Sequence, residues 1–369
     1  MKIGLITLHS VDNFGSVLQT YATVSILNRL GHSVEIINYI RPQDRISVPI
    51  VATLKNPDYS LIKKSYSMIY KSLEKPLCRL ITLKFLHRYL NLTRRYNSFE
   101  ELKSDPPMSD VYITGSDQVW NSNYNEGINK AYFLEFAPES KKRIAFSASF
   151  GVDELKKNEQ SETAKLFKKY HAISVRESSG LEILKKIGIS NAKHVLDPTL
   201  VLNKSDWSKL AKPYKSEYPY LLLYTVDGAI SLRASAYARK IARKKNLQIF
   251  QVTIGSFRHG APGCNKYFFM RSPETFLSLL MGADFVVSVS FHGTAFSVNF
   301  EKQFISIMPD YYQSRVKSLL SLTGLKNRAV YSDDHDVDSL LSPIDFGPVT
   351  NRIQTERENS ITFLRNALA

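Results

Sequence analysis

Lys2-Ile3-Gly4-Leu5-Ile6-Thr7-Leu8, Ser16-Val17-Leu18-Gln19-Thr20-Tyr21-Ala22-Thr23-Val24-Ser25-Ile26-Leu27-Asn28-Arg29-Leu30-Gly31 and Ser33-Val34-Glu35-Ile36-Ile37-Asn38-Tyr39 decide the fold. The first run is short and apolar, which suits a buried strand. The second places Val17, Leu18, Tyr21, Val24 and Leu27 at helical spacing, and Gly31 supplies a C-terminal stop. The third reads as another strand, ended by Arg41-Pro42. Strand, helix and strand at this spacing imply parallel strands joined by a right-handed crossover.

The alternation continues outward. Asp110–Thr114 and Arg143–Phe150 read as strands, 153–169 as a charged helix, and Ala172–Val175 as a short strand. A helix over Glu177–Ile187 and a strand over Lys193–Leu196, closed by Asp197-Pro198, complete the first series. Residues 203–219, with Lys212-Pro213 and Tyr218-Pro219, read as a linker. A second series follows: strand Tyr220–Thr225, helix Ala229–Lys245, strand Leu247–Ile254 and a loop over Arg258–Pro262. Ser272-Pro273-Glu274 opens a helix, and then come strand Phe285–Val289, helix Gly293–Phe300 and strand Phe304–Met308.

The expected domains are therefore residues 1–205, carrying a basic helical insertion over about 55–95, and residues 216–345, with a C-terminal helix over 346–369. This is an α/β, GT-B-like architecture of two Rossmann-like domains with a central interdomain cleft. Ligands in such sheets bind outside the carboxyl ends of the strands, so the loops there carry the chemistry.

The bulk properties agree. A chain of 369 residues suits two domains, and 43% hydrophobic against 22% charged residues excludes wholesale disorder. No apolar run reaches the roughly 18 residues of a membrane helix. The apolar start runs into polar His9-Ser10 and reads as a first strand rather than a signal peptide. Cys78 and Cys264 are too few for a disulfide framework, so a cytoplasmic protein is expected.

The charge is +15, which favours an anionic partner. Much of the excess lies between Lys55 and Arg95, where Lys63, Lys64, Lys71, Lys75, Arg79 and Arg88 alternate with apolar residues. That mixture fits a helix on an anionic membrane surface, at the inner face, and equally one packed against its own domain. No nucleic-acid motif accompanies it, so nucleic acid is not an expected partner.

Three segments carry candidate chemistry. In His9-Ser10-Val11-Asp12-Asn13-Phe14-Gly15-Ser16, the residues Asn13, Gly15 and Ser16 open the first helix, suiting either an anion or a plain helix cap. The G-x-G-x-x-G spacing is absent, which argues against NAD. In Gly115-Ser116-Asp117-Gln118-Val119-Trp120-Asn121, Trp120 suits stacking on a sugar ring or a place in the core, while Asp117, Gln118 and Asn121 suit hydroxyls. In Val286-Val287-Ser288-Val289-Ser290-Phe291-His292-Gly293-Thr294, a buried strand delivers His292 to its carboxyl end beside a helix start, where a general acid or base belongs.

These segments, with Ser174-Val175-Arg176-Glu177 and Val195-Leu196-Asp197-Pro198-Thr199, occur in an order that resembles the polysaccharide pyruvyl transferase family over residues 1 to about 330. The resemblance implies phosphoenolpyruvate as co-substrate and a saccharide acceptor, often attached to a lipid carrier. It implies His292 as proton donor and Arg176 as a clamp on the donor anion; the residues also allow Arg176 to pair with a nearby acid such as Glu177 or Asp197. The substrate-binding candidates are Asn13, Gly15, Ser16, Gly115, Ser116, Asp117, Gln118, Trp120, Arg176, Ser290, Gly293 and Thr294. The chain departs from the pattern at Ser290, which stands where the family carries an arginine; Arg258, His259, Lys266, Arg271 and Arg315 are the candidates to compensate. No metal-binding cluster is visible, so neither metal nor cofactor is expected. Two other readings fit the same fold: a glycosyltransferase using a nucleotide sugar, and a non-catalytic saccharide-binding relative.

Overall fold

A computed structural model describes residues 1–44, 61–226, 228–253, 260–269, 271–309, 313–332 and 336–369; for 61–73, 75, 228 and 229 it describes the backbone alone. The first sheet contains β1 (Lys2–Ile6), β2 (Ser33–Ile36), β3 (Val111–Thr114), β4 (Lys142–Ala148), β5 (Ala172–Val175) and β6 (Lys193–His194). Its order is β2-β1-β3-β4-β5-β6, with every pairing parallel. The second sheet contains β7 (Tyr220–Tyr224), β8 (Gln248–Val252), β9 (Lys266–Phe268), β10 (Phe285–Ser288), β11 (Gln303–Ile307) and β12 (Ala329–Val330). It runs β12-β11-β10-β7-β8-β9, again all parallel.

Central strands covered by helices on both faces need apolar residues throughout, not in alternation. Accordingly β7 and β10 are buried along their whole length. The edge strands β9 and β12 were not expected from the sequence. They have three and two residues, too few to show a period, and they pair at the two margins of the second sheet.

The two domains are bound together by aromatic packing. Phe14, in the helix Phe14–Arg29, stacks on Phe276 at 4.9 Å between centroids, and Tyr224 lies 4.7 Å from Phe276. Trp207, following the first domain, packs on Phe296 at 5.1 Å. Asn299 donates from Nδ2 to the carbonyls of Thr199 and Leu202, both at 2.7 Å. The C-terminal helix Phe346–Leu368 returns to the first domain: Ser360 Oγ accepts from Leu196 N–H at 3.0 Å, and Arg357 Nε donates to Leu200 O at 2.8 Å.

The basic insertion contains a helix over Leu61–Tyr89. Its C-terminal half belongs to the fold: Phe85 and Leu86 are buried, and Tyr21 contacts Phe85 and Tyr89. The side chains of Lys63, Lys64, Lys71 and Lys75, on which a membrane contact would rest, lie outside the described residues. Among the described residues, no helix is long and apolar enough to cross a membrane.

Candidate functional site

The carboxyl ends of both sheets converge on one cluster. Gly15 and Ser16 follow β1, Ser116 and Asp117 follow β3, and Arg176 and Glu177 follow β5. Asp197 follows β6, while Ser290 and His292 from the second domain follow β10. The helix Ser314–Thr323 closes the cluster, its Ser318 Oγ accepting from Ser178 N–H at 3.1 Å.

Arg176 lies at the centre, its side chain fully buried. Nη1 donates to Asp197 Oδ2 at 2.9 Å, and Nη2 to Asp117 Oδ1 at 3.3 Å. Nε is 3.6 Å from Glu177 Oε2, and Cζ lies 4.6 Å above the Phe291 ring. Burial would lower its pKa, but the three carboxylates more than offset this and raise it. The same contacts answer the burial of the acids. Asp117 is held well below the ordinary carboxylate range, burial being outweighed by Arg176, His292 and the Ser16 hydroxyl. Asp197 is lowered too, with His292, Arg176 and the Thr199 donors overriding desolvation.

Arg176 is therefore committed to carboxylates on its edges and to a ring on its face. A clamp on the donor anion, the role implied by the resemblance, would require these contacts to break. The pairing arises because β5, β3 and β6 are neighbours or near-neighbours whose ends put one arginine among three acids. Glu177 and Asp197 are the acids the sequence offers as partners for Arg176; Asp117, on the far side of β4, is supplied by the fold alone.

His292 is buried and projects from the first turn of the helix Phe291–Asn299. Its Nε2 is buried without a hydrogen-bond partner and stands 3.9 Å from Asp197 Oδ2. Desolvation carries its pKa down to about 4 against the pull of Asp197 and Asp117, with Arg176 and Arg315 adding to the fall. The resting imidazole is neutral at pH 7 and is a proton acceptor in the first instance. A general acid at rest, as expected from the sequence, would need the opposite charge state.

The remaining candidates separate into those at the cluster and those that build it. Asn13 caps the first helix, its Oδ1 accepting from Gly15 N–H at 2.8 Å and Ser16 N–H at 3.3 Å. Those N–H groups are thus taken, and the turn is a capped helix start rather than an open anion cradle. Gly15 faces His292 instead. Ser16 Oγ donates a short hydrogen bond to Asp117 Oδ2, and Ser116 Oγ donates to Asp197 Oδ2 at 2.8 Å. Asp117 has φ +80°, a left-handed backbone uncommon for a residue with a side chain, and such strain concentrates at functional sites.

Gly115 is where β3 leaves the sheet, and a Cβ there would stand 3.0 Å from Leu5 Cδ1. Gln118 is half-buried and accepts from Asn121 Nδ2 at 2.8 Å. Gly293 leaves room for Ser288 Oγ, which would be 2.1 Å from an added Cβ. Thr294 Oγ1 bonds Ser290 O at 3.0 Å and Ser306 Oγ at 2.8 Å. Ser290 is the N-cap residue of its helix, with no side-chain cap bond, and is 8% exposed.

Trp120 is a core residue, not a sugar platform. Its Nε1 donates to Tyr132 O at 3.0 Å, and Phe133, Phe150 and Phe167 surround the ring at 5.7, 5.2 and 4.7 Å. A tryptophan after a strand suits either role; the deciding neighbours lie up to 47 residues away in sequence.

Of the arginines and other cations considered for Ser290's missing charge, Arg258 and His259 lie outside the described residues. Lys266 Nζ bonds Tyr214 Oη at 2.8 Å, and Arg271 lies over Phe268, both at the β9 margin. Arg315 alone among the described members of this set acts electrostatically on His292 and Asp117. It entered the sequence reading only as one of five, because its helix, which follows β11, meets the first domain's cluster only when the two domains pack together. Among the described residues, no three His, Cys, Asp or Glu side chains are placed to hold a metal ion.

The family described as Polysaccharide pyruvyl transferase matches this chain over residues 13–311, which contain every residue of the cluster except those of the closing helix, Arg315 and Ser318. The chain belongs to that family. It is accordingly a transferase of polysaccharide modification with a saccharide acceptor, and its fold is the expected α/β arrangement of two six-stranded parallel sheets. No curated protein matches the chain. Similar solved structures include a Staphylococcus aureus MnaA–UDP co-structure at 11% identity and TM-score 0.48, covering 92% of this chain and 86% of the other. The glycosyltransferase SnogD from Streptomyces nogalater is 10% identical with TM-score 0.44, covering 98% and 95%. The glycotransferase of kitacinnamycin is 12% identical with TM-score 0.45, covering 99% and 97%.

Proposed function

We propose that this family member transfers the pyruvyl group of phosphoenolpyruvate to two hydroxyls of one saccharide unit, forming a cyclic ketal and releasing inorganic phosphate. The observation carrying this reading is His292 Nε2, buried without a hydrogen bond where the ring rests against Gly15 of the other domain; burial brings its pKa down to about 4, so the imidazole starts neutral. The first acceptor hydroxyl gives its proton to Nε2 as its oxygen bonds to C2 of the donor. As that C2–O bond forms, the imidazolium delivers the proton to C3, so the electron pair of the double bond ends in a C–H bond, the CH2 becomes a methyl group and no proton is gained or lost overall. Phosphate leaves C2, and the second hydroxyl closes the ketal, its proton departing with the phosphate.

Asp197 and Asp117 favour the transient imidazolium, while burial keeps it from persisting. General acid–base catalysis of this kind contributes about 10²–10⁴-fold. The test is product analysis with purified protein and candidate saccharides. Phosphate release from phosphoenolpyruvate, with a product heavier by one pyruvate less one water, supports the reading. Nucleotide release from a nucleotide sugar, with no reaction of phosphoenolpyruvate, overturns it in favour of glycosyl transfer.

A further inference from the structure

We propose that Arg315 is the residue that grips the negatively charged group of the small-molecule donor; this rests on the donor being an anion, as argued above. The inference begins with charge. Asp117, Glu177 and Asp197 bring three carboxylates into one buried cluster, and Arg176 answers only one of those charges. A phosphate or carboxylate arriving beside them meets repulsion unless another cation is available. Arg176 is not available: Nη1 and Nη2 donate to Asp197 and Asp117, Nε, though without a hydrogen bond, lies 3.6 Å from Glu177 Oε2, and the plane lies on Phe291.

Arg315 has the required position. Ser318, on the same helix, touches the N–H of Ser178, which directly follows Arg176-Glu177. Residues three apart share one face of a helix, so Arg315 lies one turn earlier on the face turned to the cluster. Its charge is felt by Asp117 and His292 and itself responds to Arg176, Asp117, Glu177 and Asp197.

It also has the required vacancy of partners. The Nε is buried with no hydrogen bond, although a buried donor left unmade is costly. Burial and the neighbouring Arg176 bring its pKa down to about 10, which still leaves it charged at pH 7. An incoming oxyanion relieves both penalties, and the planar guanidinium can meet it through two parallel N–H bonds.

The test is calorimetric titration of the wild type and of Arg315→Ala, Arg315→Gln and Arg315→Lys with phosphoenolpyruvate, inorganic phosphate and UDP-glucose, with Tm recorded for each. Loss of one charged hydrogen bond weakens Kd for phosphoenolpyruvate about 10- to 100-fold in the Ala and Gln variants, with Lys intermediate. If Arg315→Ala does not fold, the Gln and Lys variants, which keep much of the side chain, carry the comparison. A second readout is the His292 ring titration by NMR, which should move upward from about 4 in Arg315→Gln because a repelling charge is gone. That shift shows that the charge of Arg315 faces the ring, and the affinity comparison shows whether it grips the donor. Equal phosphoenolpyruvate affinity in wild type and Arg315→Gln overturns the assignment while leaving pyruvyl transfer standing. Wild-type binding of UDP-glucose or phosphate, but not phosphoenolpyruvate, lost in the Gln variant, keeps the anion grip and removes the donor reading. Binding of none of these anions by the wild type overturns the grip.

Discussion

A methyl group on Gly15 would stand 2.0 Å from Nδ1 of His292 and 2.1 Å from its Cγ. The backbone of the first domain is therefore the wall against which the imidazole of the second domain rests. A side chain at residue 15 is excluded by that ring, not by the backbone angle, since Gly15 is absent from the residues with positive φ. The contact ties the position of the proposed proton carrier to the seating of one domain on the other.

Gly15→Ala should therefore push the ring aside or part the domains locally. Overpacking of a close contact costs about 1–3 kcal/mol, so a lowered Tm is expected together with a fall in turnover. Turnover and Tm both matching wild type would show that the ring has room to move.

His292→Ala should fold and lose about 10²–10⁴-fold in turnover per folded molecule, measured as phosphate release. The substitution also empties the space of a buried ring packed against Gly15, so a lowered Tm accompanies it and turnover is compared per folded molecule. A loss under tenfold would take His292 out of the mechanism.

The pH dependence follows from the same residue. With a neutral resting imidazole as base, kcat/KM should be flat through pH 7 and fall as pH drops through about 4. Stability moves in the same direction. The folded-state pKa lies below the unfolded value near 6.5, so between about 6.5 and 4 the unfolded chain binds the proton and the folded chain does not. Stability is then lost as pH falls through that window, and His292→Ala should flatten this slope in urea titrations at several pH values. A rate that instead falls as pH rises from 5 to 7 would identify a resting general acid.

Arg176→Ala should destabilise the fold strongly rather than act on donor affinity alone. It leaves Asp117, Glu177 and Asp197 buried without their cation, and breaking such a pairing costs about 3–5 kcal/mol. Arg176→Lys should not restore the loss, because one ammonium cannot face three acids in the guanidinium plane. Urea unfolding checks both; an unchanged Tm with lost phosphoenolpyruvate binding would restore the clamp role.

Trp120→Ala should cost about 3–5 kcal/mol by emptying a packed aromatic site, with KM for the saccharide unchanged in the remaining folded protein. An acceptor KM raised without loss of Tm would mean that a ring face reaches the sugar.

The sequence alone determined what is local and periodic. Apolar runs of strand length alternating with helical spacing announced two parallel sheets, and the loops after strands announced which segments meet ligands. His292 was legible because a buried strand, a polar turn and a helix start lie within nine residues of one another. Partners were not legible, because they are set by which strand ends become neighbours. Arg176 reads as either a donor clamp or a partner of Glu177 or Asp197 until the strand ends place both acids, and Asp117 as well, around it; Trp120 reads as either a platform or a core residue until Phe133, Phe150 and Phe167 close around it. The charge state of His292 likewise depends on desolvation by two domains at once. Burial, the pairing of charges and the space around Gly15 are properties of the assembled tertiary structure, because each arises from groups that only folding brings within a few ångströms.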